Sequence, residues 1–348
     1  MMRLGIGAFC ALVLTVAPSE AWVSQRGPSA AKTPVVEKSP SPLVEMGQQL
    51  ATVGFGCFLA AAATFGAANP AFADAGKFSY DPNLGGPEVW SGLKVEGNQC
   101  SGTKQSPIAI RPTACSVGAN YEMKHGTCAT SDLEYALGRN GPKASFPKVC
   151  DGTTLKIPFV DGTFQAVQFH MHIGSEHTLG GKAFESEFHI VHKQIDGDRF
   201  AVVGIMLTGD AKTDNLKFQR LLDGWDQVAQ KKAIDCGDEV LKKKARTVTE
   251  EFNVYDLIPP SANFYAYDGS LTTPPCSEVV WWNVADVPLS ISRDQMDQLI
   301  KYTTKYVDPK TCELDPSASP YDGTTNRPTA QDSGARKVIR ICPVNAFS

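Results

Sequence analysis

Gln168, His170 and His172 alternate along one short segment of this chain, and Glu187, His189 and Val191 along another, which commits half of its six histidines to one neighbourhood. On an extended strand, side chains two apart point to the same face. Thr163 to His172 and Ser186 to His192 are both expected to be strands, because they carry β-branched or aromatic residues and no proline. Two neighbouring strands then aim three imidazoles at one point. Zinc takes imidazole nitrogen readily, and a catalytic zinc keeps three protein ligands with its fourth position left to water. No cysteine falls inside the cluster, which argues against a closed structural site and for an open one. Gln168 and Glu187 each precede a histidine by two residues on its own face, placed to accept the second ring N–H and fix the imidazole. The competing reading is a pair of core strands with satisfied histidines. A third histidine and two flanking acceptors weigh against it.

Those strands need neighbours and a covering layer. Arg199 to Leu207 and Val279 to Val284 are further strand-like runs. One helix stands out: Thr213 and Asp214 can cap a segment in which Phe218, Leu221, Leu222, Trp225 and Ala229 recur at helical spacing, so one face packs on a sheet. After it come Lys231, Lys232, Lys242, Lys243, Lys244 and Arg246. Acids interrupt that run and the formal net charge is −4, so a solvated surface is expected, without nucleic acid or membrane as partner.

Beyond the histidines, the chain resembles the α-carbonic anhydrase family over roughly Phe78 to Arg340. The blocks that carry the resemblance are Phe78-Ser-Tyr80, Gly86-Pro-Glu-Val-Trp90, Cys100-Ser-Gly, Gln105-Ser-Pro-Ile-Ala-Ile110, Tyr267-Asp-Gly-Ser-Leu-Thr-Thr-Pro-Pro-Cys276-Ser-Glu-Val-Val-Trp-Trp282 and Asn326-Arg327-Pro328. The resemblance implies a mainly β (α+β) single domain around a large twisted, mostly antiparallel central sheet with peripheral helices. It also implies a zinc-dependent enzyme that hydrates carbon dioxide reversibly to bicarbonate and a proton, with His170, His172 and His189 as ligands. Thr272 would accept a hydrogen bond from the attacking oxygen while donating to Glu176, as a hydroxyl can do both and an ionised carboxylate only accepts. Thr273 would line the substrate space, and Val191, Val202, Leu271, Val280 and Trp282 would form an apolar wall suited to a small uncharged gas. His177 and His192 also fall on family positions, but both read as buried, hydrogen-bonded structural residues. Cys100 and Cys276 occupy positions that form a disulfide in extracellular and lumenal members. Closing so long a loop adds up to about 4 kcal/mol in the chain-entropy account. The alternative is a catalytically silent binding or scaffold protein on the same fold; such proteins typically lack a ligand, whereas all three remain here with Glu176 and Thr272.

Three departures from the family pattern matter. The short interval from His172 to Glu176 matches plant and bacterial members, and Met171 and Ile173 replace usual aromatics, which reads as repacking. No histidine lies between His125 and His170, and the stretch that corresponds to the one where fast animal members keep a proton-shuttling histidine, residues 140–152, offers only Asp151 and lysines to titrate, with His125 as a stand-in. Turnover is therefore expected to be limited by proton removal.

Residues 1–73 read as an address rather than as fold. Residues 1–21 carry Arg3, an apolar run and a small-residue ending, the plan of a secretory signal peptide. Residues 22–50 turn rich in Ser, Pro, Ala and Lys, as in a transit peptide or linker. Residues 51–73 hold a second apolar stretch ending Asn-Pro-Ala71-Phe-Ala73, a second cleavage signal, with a membrane anchor over 51–68 as the rival reading. The series resembles thylakoid-lumen addressing in complex plastids; secretion or the ER lumen is the alternative. Residues 74–348 are expected to be the enzyme domain, without a membrane anchor once the address is removed. Its cysteines number eight of the chain's ten, consistent with an oxidising destination, and the six besides Cys100 and Cys276 allow fifteen pairings.

Overall fold

Runs rich in β-branched and aromatic residues build the strands that position the site. The computed structural model describes residues 78–138, 140–236, 251–304, 311–313, 323–329 and 336–344. In chain order the strands are β1 (Ala109–Ile110), β2 (Val117–Gly118), β3 (Glu122–Lys124), β4 (Glu134–Gly138), β5 (Gly141–Ser145), β6 (Thr154–Lys156), β7 (Phe164–Ile173), β8 (Thr178–Leu179), β9 (Ser186–Gln194), β10 (Phe200–Ala211), β11 (Phe264–Gly269), β12 (Val280–Ala285), β13 (Leu289–Ser292) and β14 (Ile339–Cys342). Two α-helices accompany them, α1 (Leu216–Asp235) and α2 (Arg293–Thr304). Twelve strands form one sheet whose main path runs β2-β14-β11-β12-β10-β9-β7-β5-β4. Most of its pairings are antiparallel, as expected, but β10 pairs β12 and β13 in parallel, and so do β14 and β2. The result is a mainly β single domain with peripheral helices. Residues 1–73 lie outside the described residues, as do Lys242, Lys243, Lys244 and Arg246.

The two faces of the sheet have different chemistry. On one face Phe169, Met171, Phe188, Ile190, Val203 and Ile205 join the main core. On the other, Val191, Val202, Val280 and Trp282 form a second cluster with Ile110 and Tyr267. A β-bulge in β7 makes this division possible: Ala166 pairs with His192 but Gln168 pairs with Val191, so Val167 is the extra residue. Before the bulge the even-numbered Phe164 enters the main core, and after it the odd-numbered Phe169 and Met171 do. Gln168, His170 and His172 are thereby turned to the second face.

Helix α1 covers the main core. Phe218, Leu221, Leu222 and Trp225 are fully buried, each contributing about 1.5–3 kcal/mol, and Ala229 packs partly buried against the same cluster. Its cap differs from expectation. Asn215 Oδ1 accepts from Phe218 N at 3.1 Å, while Asp214 accepts from Ser292 Oγ at 2.5 Å, so a contact from β13 draws Asp214 away from the helix end. Gly224, in the middle of the helix, is explained by Tyr135 on β4: a Cβ there would lie 2.2 Å from the ring. Gly224→Ala is expected to destabilise the fold by about 1–2 kcal/mol in urea unfolding, the clash outweighing the better helix propensity of alanine. A stabilised variant would show that the ring gives way freely.

Four disulfides resolve the open pairings: Cys100–Cys276, Cys115–Cys342, Cys128–Cys150 and Cys236–Cys312. The first sits in a small cluster with Phe78, Tyr80 and Trp90, so the N-terminal aromatic block packs around the bridge. His192 is a structural histidine, as expected: its ring stacks on Tyr255, and its nitrogens meet Ala201 O at 3.2 Å and Tyr255 Oη at 2.9 Å. Burial lowers its pKa from 6.5 to about 4. The folded chain thus refuses a proton that the unfolded chain accepts below pH 6.5. Stability from this residue is present above pH 6.5 and is lost progressively as the pH falls to about 4, by about 3 kcal/mol in all. Denaturant unfolding of wild type and His192→Gln at pH 7, 5.5 and 4 checks this; parallel losses in both would refute it.

Candidate metal centre

The site lies where β7 and β9 run side by side. In their register His170 faces His189 directly and His172 faces Glu187. His172 and His189 are buried and His170 is half-buried, and the three ring centroids stand 4.8–5.1 Å apart. Each ring has one nitrogen committed to an acceptor. His170 Nδ1 donates to Gln168 Oε1 at 2.8 Å, His189 Nε2 to Glu187 Oε1 at 2.9 Å, and His172 Nδ1 to the Thr325 carbonyl at 2.6 Å. A carbonyl or carboxylate oxygen can only accept here, so the proton of each neutral ring is fixed on that nitrogen. The other three nitrogens present lone pairs.

Those lone pairs converge. His170 Nε2 and His189 Nδ1 are 3.3 Å apart, two acceptors facing each other, and buried His172 Nε2 has no hydrogen-bond partner. Such an arrangement is costly unless a cation sits between the nitrogens. With Zn–N at about 2.0–2.1 Å, the edge of a tetrahedral site is about 3.3–3.4 Å, which the His170–His189 spacing matches. Burial lowers the pKa of all three rings, so they are neutral and ready to ligate at pH 7. This donor set fits zinc.

Glu187 is the hub behind the ligands. Its Oε1 accepts from both His189 and His177, and its Oε2 accepts the backbone N–H groups of Glu176 and His177 at 2.8 Å. Burial alone would raise its pKa, but His177 and His189 hold the carboxyl well below its ordinary value. Gly204, opposite His189 on β10, leaves room for it: an added Cβ would come 3.0 Å from Glu187 Oε1. His177 Nε2 lies 2.6 Å from Tyr267 Oη, which is 3.0 Å from Ser106 Oγ, so a buried polar chain runs from His189 into the sheet. His177 is structural, as expected.

Glu176 lies against the other side of the histidines, its Oε2 3.5 Å from His172 Nε2 and 3.9 Å from His189 Nδ1. Its Oε1 accepts from Arg327 N at 2.9 Å. Burial raises its pKa to about 7, against the lowering effects of His189, Arg327 N–H and a hydrogen bond from the Thr272 side chain. Thr272 is buried and Thr273 half-buried on the loop after β11, where Cys276 N donates to Thr273 O at 2.9 Å. Val191, Val202, Leu271, Val280 and Trp282 all belong to the second apolar cluster. Trp282 touches the site itself, its ring centroid 4.9 Å from that of His189. His125 does not join these residues: it follows β3 and lies 3.9 Å from exposed Glu251. Thr325, Tyr267 and Ser106 are among the participants that sequence reasoning did not single out for the site. A backbone carbonyl has no sequence signature, and Tyr267 and Ser106 stood only as parts of longer blocks.

The class of protein defined here is a curled mixed sheet that carries three converging histidines on adjacent strands, a donor set able to hold a metal ion. Residues 85–340 match the family described as eukaryotic-type carbonic anhydrase, and the chain belongs to that family, an enzyme family. Among its relatives, "Alpha carbonic anhydrase 3" of Arabidopsis thaliana is 32% identical over 225 residues, 64% of this chain and 75% of that protein. "Carbonic anhydrase" of Pectobacterium carotovorum is 31% identical over 226 residues, 65% of this chain and 82% of that protein. The solved structure of the α-carbonic anhydrase from Thermovibrio ammonificans, in complex with the inhibitor sulfanilamide, superposes with a TM-score of 0.52 at 26% identity, covering 76% of this chain and 98% of that one. Among the described residues, no helix is long and apolar enough to cross a membrane.

Proposed function

We propose that this chain catalyses the reversible hydration of carbon dioxide to bicarbonate and a proton, with one zinc ion held by His170, His172 and His189. The observation that supports this most is the convergence of three neutral imidazoles whose protons are fixed on their outer nitrogens. When bound there, zinc supplies a water acidic enough to ionise near neutral pH, as is established for carbonic anhydrases generally. Gln168, Glu187 and the Thr325 carbonyl keep the ring protons away from the metal side and hold the rings in orientation. Glu176, steadied by Arg327 N–H, accepts from Thr272. The Thr272 oxygen is then left as an acceptor, which orients the attacking oxygen. Val191, Val202, Leu271, Val280 and Trp282 exclude water and offer carbon dioxide a wall without competing hydrogen bonds, with Thr273 beside them.

The direct test is stopped-flow carbon dioxide hydration by residues 74–348 with zinc measured in the same preparation. One zinc per chain together with fast hydration is the expected outcome; zinc-loaded protein without hydration would refute the reading. Proton removal is expected to limit the rate, as no histidine lies between His125 and His170. The rate should rise with imidazole-type buffer and then saturate. Indifference to buffer concentration would point to an internal proton carrier.

We also propose an oxidising compartment for this enzyme. Eight paired cysteines suit one, and the three-part character of residues 1–73 favours the thylakoid lumen. A fluorescent fusion of the full chain retained in the secretory pathway would overturn that address.

A further inference from the structure

Thr272 and Glu176 come from segments that share no strand. Thr272 lies on the loop after β11 and Glu176 on the connection from β7 to β8, so the hydrogen bond between them depends on whatever joins the two. Both ends of the Thr272 loop hang from residues 105 and 106. Ser106 N donates to Ser270 Oγ at 2.8 Å and Ser270 N to Ser106 Oγ at 3.0 Å, while Gln105 Nε2 donates to Cys276 O at 3.2 Å. The Cys100–Cys276 bridge ties the far end a second time.

The side chain of Arg327 grips all of these anchors. Its Nη1 donates to Gln105 Oε1 at 2.9 Å and to Ser106 O at 2.8 Å, and its Nη2 donates to Cys100 O at 3.2 Å. Its backbone N–H meanwhile donates to Glu176 Oε1 at 2.9 Å, and Asn326 Nδ2 donates to Ser175 O at 3.1 Å, so the same dipeptide holds residues 175 and 176. Arg327 is buried, with its guanidinium carbon 5.9 Å from the Trp90 ring centroid. A buried guanidinium is costly to desolvate unless its donors are met. The three acceptors are neutral oxygens fixed on separate residues. A planar fork with five donors can span them at once, whereas an ammonium at the end of a flexible stem cannot.

We propose that the Arg327 side chain is a positioning residue for the reaction: by gripping Cys100, Gln105 and Ser106 while its own backbone holds Glu176, it sets the separation and orientation of Thr272 and Glu176. This rests on the zinc-enzyme reading above and deepens it. Arg327 acts through Thr272, and the shape of its fork, rather than its charge, is the operative property.

The test is a double-mutant cycle on zinc-loaded wild type, Arg327→Lys, Thr272→Val and the two combined. Lysine keeps the charge and loses the fork. The kcat for hydration should fall about tenfold in Arg327→Lys with KM and zinc content unchanged, and the same substitution should change kcat by less than about twofold once Thr272 is valine. A residue that merely stabilised the fold would act equally in both backgrounds. Amide hydrogen exchange of the zinc-loaded protein supplies a readout independent of catalysis. The N–H groups of Leu271 and Cys276, which donate to Ser277 O and Thr273 O, should exchange about tenfold faster in Arg327→Lys, with β7 and β9 unchanged. If Arg327→Lys does not fold, Gln105→Leu cuts the same link from its other end and must reproduce both results. An unchanged kcat, an equal loss in both backgrounds or unaltered loop exchange would overturn the proposal. Failure of the zinc-loaded wild type to hydrate carbon dioxide would instead sink the functional reading, and the exchange rates would still decide whether Arg327 anchors the loop.

Discussion

His172→Ala is expected to strip the centre of its metal: zinc should fall from one per chain to a small fraction, and carbon dioxide hydration by more than about 10³-fold. His172 is the ligand with the least slack. Its ring is 1% exposed, its Nδ1 is tied to Thr325 O, and its Nε2 has no partner to satisfy it other than a cation. Removing it leaves only two imidazoles, too few to hold zinc against water. The strand itself should survive, because β7 is paired on both sides through its backbone. Far-ultraviolet circular dichroism serves as the control for folding. A variant that keeps stoichiometric zinc and at least a tenth of the activity would show that the metal sits elsewhere.

Thr272→Val should lower hydration by about 10²-fold while leaving zinc content unchanged, since valine keeps the shape and loses the one group that can accept and donate at once. The loop that carries Thr272 is fixed independently of the hydroxyl. The Cys100–Cys276 bridge anchors one end, and Leu271 N donates to Ser277 O at 3.0 Å. The effect should therefore appear in kcat rather than in unfolding free energy. A loss of threefold or less would remove Thr272 from the mechanism.

The convergence of the three histidines is legible in the sequence because its geometry is local. A period of two along β7 and β9 is enough to put Gln168, His170 and His172, and Glu187, His189 and Val191, on common faces, and the pairing of His170 with His189 completes the cluster. What could not be read depends on distant partners. The bulge at Val167 follows from the need to bury Phe164 and Phe169 on one side of the sheet, which no local pattern announces. Thr213, Asp214 and Asn215 can all cap a helix by residue type, and the choice fell to Asn215 because Ser292 engages Asp214. The parallel pairing of β10 with β12 and three of the four disulfides likewise join segments far apart in the chain or related by no sequence rule.

The hydrogen bonds of Thr325 set an order of events during biosynthesis. His172 Nδ1 donates to its carbonyl, and Ile173 N donates to its hydroxyl at 3.0 Å, across an interval of some 150 residues. A nascent chain that has not yet exposed Thr325 has all three ligands but no clamp on the middle one. The clamp on the middle imidazole therefore closes only once the C-terminal part of the domain has folded against β7.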